Sequence, residues 1–131
     1  MIFVDTSAWL ALMDRSCVEH SIASKFATDV QDLFVTTDYV LAESLTLLRA
    51  RRLHEEAIEL GGRLLSERFA RLVWVTPEDV QKAWVLFQHR DKAWSFVDCV
   101  SFSVAQRLKI HDAFAFDDHF RQCGTLTVHP E

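Results

Sequence analysis

Glycine and proline are scarce in this chain, at 3 and 2 residues of 131. These residues punctuate loops and linkers, so most of the chain is expected to be regular structure joined by short turns. There is no repeat and no low-complexity tract, and Asp5-Thr6-Ser7-Ala8 offers no glycine-rich loop for a dinucleotide phosphate. The 3 cysteines, Cys17, Cys99 and Cys123, are far apart and form no CxxC pair, which excludes that kind of zinc or redox site and leaves reduced, packed thiols. No apolar run is long and uninterrupted enough to span a bilayer, so no membrane association is expected. The start Met1-Ile2-Phe3-Val4-Asp5 lacks a basic leader and a long apolar segment, and the expected location is cytoplasmic. Positive charge is also lacking: the formal net charge of -5 excludes a simple basic glove for nucleic acid. A nuclease is still allowed, because acids that hold a metal add negative charge while a local basic patch holds substrate.

Half the residues are apolar, enough for one domain over residues 1–131 with a sizeable core. Short β-rich runs mark candidate strands at Ile2 to Asp5, Leu33 to Thr36, Leu72 to Val75, Ala113 to Phe116 and Thr125 to Val128. Helical patterns lie between them. One starts near Asp38 with Leu41, Leu45 and Leu48 on one face. Another runs from His54 to about Phe69, with a possible break at Gly61-Gly62 unless close packing compensates. Thr76-Pro77-Glu78-Asp79 is a strong helix start, followed by the stripe Val80, Ala83, Trp84 and Phe87. The last long helix begins at Ser95. Strands alternating with helices, joined by right-handed crossovers, give a parallel α/β sheet covered on both faces.

Four acids occupy positions that invite a second role. Asp5 closes the first strand and precedes a helix, where a purely structural Asp would cap free N–H groups. Asp98 follows Ser95 by three residues, close to a capping box. Glu43 lies one turn into its helix, where a solvated acid is the plain alternative. Asp117 sits in Phe116-Asp117-Asp118-His119-Phe120, where a strand-end turn also favours Asp. Two acids at strand ends and two near helix starts can converge on one sheet edge, where open α/β sheets bind ligands.

The order Val-Asp-Thr-Ser near the start, Tyr39-Val40-Leu41-Ala42-Glu43, Ser95-Phe96-Val97-Asp98 and then Phe116-Asp117-Asp118-His119-Phe120 resembles the PIN-domain ribonucleases. Among them it is most similar to the VapC toxins of toxin–antitoxin pairs, over essentially the full length. The resemblance implies a three-layer α/β/α fold around a mainly parallel five-stranded sheet. It implies that Asp5, Glu43, Asp98 and Asp117 form a catalytic, metal-binding quartet, with Thr6 in support and Asp118 as an alternative fourth acid. It also implies RNA cleavage leaving a 5′-phosphate and a 3′-hydroxyl, a homodimer, and a small VapB-like antitoxin as partner.

The chemistry agrees with that implication. Close carboxylates repel by roughly 4 kcal/mol per pair at 4 Å and an effective dielectric of 20. Such oxygen ligands suit Mg2+ or Mn2+ better than zinc, and the six histidines form no recognisable ligand pair. Arg49, Arg51 and Arg52 either grip RNA, face the antitoxin, or complement the negative end of their own helix. The four tryptophans are expected mainly in the core, with Trp94 the exception. A phosphatase with a nucleophilic Asp is a weaker reading, since Ser7 stands where its second Asp would be. A catalytically silent PIN-like scaffold is the non-enzymatic alternative.

Overall fold

The structure is a computed structural model that describes residues 1–131. Five short strands are β1 (Ile2–Val4), β2 (Phe34–Thr37), β3 (Arg71–Val73), β4 (Asp112–Phe114) and β5 (Thr127–His129). Seven helices are α1 (Thr6–Met13), α2 (His20–Asp29), α3 (Asp38–Ala50), α4 (His54–Leu65), α5 (Pro77–Phe87), α6 (Phe96–Arg107) and α7 (Asp118–Gln122). The sheet runs β3-β2-β1-β4-β5 with every neighbouring pair parallel. The parallel five-stranded sheet expected from the sequence is therefore present, with strand bounds shifted by a residue or two.

The chain steps from β1 through β2 to β3 in one direction, then crosses back to β4 and β5. Right-handed crossovers place α1 to α4 on one face of the sheet and α5 to α7 on the other. The aromatic core records both layers. Val4 is level with Phe114, and Phe26 of α2 packs on Phe114 with ring centroids 4.7 Å apart. The opposite face carries Phe3, against which Phe120 of α7 stacks at 6.2 Å, and Phe120 in turn meets Phe102 of α6 at 5.0 Å. No helix is long and apolar enough to cross a membrane. All three thiols are free, and burial pushes that of Cys99 up to about 11.

Two elements carry little sequence signal. α2 has no side-chain cap and buries only Ala23 fully, so its apolar period is faint. α7 is five residues long and reads as a turn. Another departure follows from the shortage of glycine. Helices α3, α4 and α6 each end in a Schellman arrangement, the closing bonds being Leu53 N–H to Leu48 O, Arg68 N–H to Arg63 O and Ile110 N–H to Ala105 O. The residue that turns left-handed in each is Arg52, Glu67 or Lys109, at φ 63°, 56° and 57°. Glu67 therefore stops α4 at Leu65, short of the expected Phe69. Gly61 and Gly62 do not break that helix.

The tryptophan expectation needs correction. Trp9 is core, with its Nε1 donating to Thr36 Oγ1 at 3.3 Å. Trp74 and Trp84 are 62% and 55% exposed. Helix α5 turns Asp79 and Ala83 inward, one turn apart, which sends Trp84 and Phe87 outward. Trp94, expected to be the exception, packs edge-on against Phe102 and donates from Nε1 to the His119 carbonyl at 3.2 Å. The buried Asp79 accepts two bonds from the Arg107 guanidinium, both 2.9 Å, tying α5 to α6. Burial works against its charge, yet Arg107 and the Thr76 bonds hold its carboxyl below the usual range.

A Cβ at Gly61 would meet Leu45 Cδ1 at 3.3 Å, whereas one at Gly62 meets nothing within 4 Å. Gly62→Ala is expected to stabilise the protein by about 0.5–1 kcal/mol in urea unfolding, with Gly61→Ala gaining distinctly less because Leu45 must move.

Candidate metal centre

β1 and β4 are adjacent but their onward connections run in opposite directions, so the crevice beyond their carboxyl ends is the switch point of the sheet. Asp5 follows β1 directly, and its N–H donates to the Phe114 carbonyl at 3.0 Å. Its side chain is the N-cap of α1: Oδ2 accepts from Ser7 N–H at 3.3 Å and from Ser7 Oγ at 2.8 Å. Ser7 Oγ accepts in turn from Phe116 N–H at 2.9 Å, which joins the start of α1 to the segment leaving β4.

Asp98 enters from the third position of α6 in a complete capping box. Its backbone N–H donates to Ser95 Oγ and its Oδ2 accepts from Ser95 N–H, both at 3.0 Å. Asp117 caps α7 and accepts from His119 N–H at 2.9 Å. The His119 ring then lies with Nδ1 2.9 Å from Asp98 Oδ2 and 3.4 Å from Asp117 Oδ1. One ligand atom from each of Asp98, Asp117 and His119 lies within 4.8 Å of the others. Each acid owes its place to helix capping, so the structural and chemical readings of these residues coincide.

Asp5 is 3% exposed and Asp98 6%. Burial, reinforced by the Asp98 charge and partly offset by the Ser7 bonds, pushes the Asp5 carboxyl up to about 7. Next to Asp5, the Thr6 hydroxyl is buried with no hydrogen-bond partner, a state that costs about 1–3 kcal/mol in a sealed interior. The carboxylates of Asp98 and Asp117, with the buried Asp5 in the field of Asp98, offer oxygen donors that fit a hard divalent cation.

Glu43 is half-buried on α3 without a hydrogen bond or ion pair, and shares a shallow groove with Tyr39 and Val97, the residue before Asp98. Like Asp5, it lies outside the tight group of Asp98, Asp117 and His119. Asp118 is exposed, and the cluster uses Asp117. Asp112 lies at the other end of β4 and bonds His129 at 2.9 Å. The arginines are not brought to the acids. Arg51, the C-cap of α3, is eight positions beyond Glu43, about 12 Å along the axis. Arg51 donates to the buried Asp14 at 2.9 Å, fastening the end of α3 to the end of α1. Arg49 and Arg52 are exposed.

Sequence reasoning missed two residues here. Ser7 was read only as a missing second Asp, yet its hydroxyl links Asp5 to Phe116. His119 was passed over because no second histidine accompanies it; its sequence signal is the Asp-x-His spacing from a capping Asp.

A parallel α/β sheet that gathers acids at its switch point defines a class, and the chain matches the PIN domain over residues 2–126. It belongs to the PIN domain family. It is 36% identical, over 132 residues and the whole of both chains, to "23S rRNA-specific endonuclease VapC20" from Mycobacterium tuberculosis strains CDC 1551 / Oshkosh and ATCC 25618 / H37Rv. The crystal structure of Mycobacterium tuberculosis VapC20, described as a sarcin-ricin loop cleaving toxin, superposes with a TM-score of 0.91 at 33% identity. That match covers 99% of this chain and 100% of the other.

The raised carboxyl of Asp5 sets a pH dependence. A group that titrates at about 7 when folded and 3.8 otherwise contributes stability that is fully present below 3.8 and is lost as pH rises through 7. At 1.36 kcal/mol per pH unit this amounts to about 4 kcal/mol. Metal-free protein should therefore melt at a lower temperature at pH 8 than at pH 5.5. Asp5→Asn should flatten that slope, and millimolar Mn2+ should raise the melting temperature more at pH 8 than at pH 5.5.

Proposed function

We propose that this protein is a divalent-metal-dependent endoribonuclease acting as the toxin of a VapBC-type pair, with ribosomal RNA at the sarcin–ricin loop as its substrate. The observation that carries this reading is the grouping of Asp98 and Asp117 with His119 at the sheet's switch point, with the buried Asp5 in the field of Asp98, in a chain that aligns end to end with a 23S rRNA-specific endonuclease. In this reading Asp5, Asp98 and Asp117 hold Mg2+ or Mn2+, Glu43 completes the catalytic quartet, and Thr6 supports it. The ion supplies positive charge against the phosphate oxygens and acidifies water.

The protein's own groups do the rest. Ser95 N–H and Ser7 keep Asp98 and Asp5 at fixed angles, so little reorganisation is needed when phosphate arrives. Glu43, half-buried and without a hydrogen bond or ion pair, orients the attacking water and takes its proton. Hydrolysis without a covalent intermediate leaves a 5′-phosphate and a 3′-hydroxyl. Arg51 serves the scaffold through Asp14, while Arg49 and Arg52 offer exposed charge to RNA or antitoxin. A small VapB-like antitoxin restrains the enzyme, which acts as a homodimer in the cytoplasm.

Ribosomes incubated with purified protein and Mg2+ or Mn2+ should yield one 23S rRNA fragment pair with a new 5′-phosphate end. Asp98→Asn, folded by circular dichroism, should cut at least about a hundredfold more slowly. Cleavage at the wild-type rate by Asp98→Asn would refute the assignment.

A further inference from the structure

We propose that His119 is itself a metal ligand, and that its imidazole nitrogen makes this centre select Mn2+ over Mg2+. The inference rests on the reading that the acids hold a divalent ion. It adds a donor that acid counting does not find.

The geometry is that of a built ligand rather than a passing contact. His119 Nδ1 faces two carboxylates at once, at 2.9 Å from Asp98 and 3.4 Å from Asp117. Neither carboxylate pairs with a lysine or arginine, so no other side-chain cation occupies the space between them. All three donors are held from behind. Asp98 is fixed by Ser95 N–H. Asp117 accepts from the His119 N–H. The His119 carbonyl receives the Trp94 indole N–H, and the next residue, Phe120, is fully buried between Phe3 and Phe102. The ring is thus delivered on a short, anchored lever and is still open enough for exchange, at 29% side-chain exposure.

Donor chemistry then decides selectivity. Mg2+ favours oxygen ligands in a near-ideal octahedron and dehydrates reluctantly. Imidazole nitrogen is a softer donor that first-row transition ions, Mn2+ the least of them, accept more readily than Mg2+ does. Without an ion Nδ1–H donates to Asp98 Oδ2; with the proton on Nε2 and Nδ1 turned to an ion instead, two carboxylates and one neutral imidazole bind Mn2+ better than an all-oxygen site of the same charge.

The test uses metal-stripped full-length protein without RNA. Mn2+ binding is read from loss of the free-ion EPR signal, Mg2+ binding by competition, and nitrogen coordination from spin-echo modulation of bound Mn2+. Wild type should show a nitrogen signal. His119→Ala should lose it and bind Mn2+ about tenfold or more weakly with little change for Mg2+, while His119→Asp, an all-oxygen set, should move the preference toward Mg2+. A wild type without the nitrogen signal, or a Mn2+ to Mg2+ preference unchanged in both variants, would overturn the inference. If the wild type nonetheless cuts RNA with either ion, the ribonuclease reading stands and only the role of His119 falls. If it binds neither ion and cuts no RNA, both fall.

Discussion

The unfavourable proximity of two buried carboxylates, Asp5 and Asp98, is the constraint around which the rest of the molecule is arranged. Neither has a lysine or arginine beside it, and burial pushes the Asp5 carboxyl up to about 7. Helix capping keeps them in place. Asp5 holds the first turn of α1, Asp98 the first turn of α6 and Asp117 the start of α7, so backbone N–H groups supply part of the compensation these carboxylates need. The caps explain why buried acids survive in the crevice.

The frame that keeps this crevice rigid draws on two other buried acids used in the opposite way. Asp79 is neutralised by a bidentate Arg107 across α5 and α6, and Asp14 by Arg51 across α1 and α3. Removing one partner from such a pair leaves an uncompensated buried charge. The contrast separates scaffold from site: the buried acids with an arginine, Asp14 and Asp79, brace helices, and the buried acids without one, Asp5 and Asp98, face the switch point. Low glycine content shapes the same frame, since Arg52, Glu67 and Lys109 accept left-handed backbone to end three helices, each at about 1–2 kcal/mol relative to the right-handed region.

Much of the fold was legible from local pattern. The five strands, the capped starts at Thr76 and Ser95, and Asp5, Glu43, Asp98 and Asp117 as the acids of interest all announce themselves through short-range chemistry. What failed to read depends on orientation. Trp84 has helical spacing from Val80, but the inward face of α5 is set by Asp79 meeting Arg107, and no single-sequence period reveals that partner. Arg51 looked like part of a basic cluster until its contact with Asp14, 37 residues away, gave it a structural role. Helix α2 was silent because its apolar contribution is small.

By itself, then, the sequence determined the parallel α/β class and the acids that end strands or start helices, because capping and hydrophobic alternation act over a few residues. Tertiary structure alone decided which acids meet. Strand order brings Asp5 beside the segment after β4, the crossover through α5 and α6 delivers Asp98, and Ser7 and His119 join them through contacts spanning 109 and 21 residues. Such distances are closed by packing the whole sheet, so the chemistry of the centre is a property of the fold rather than of any one segment.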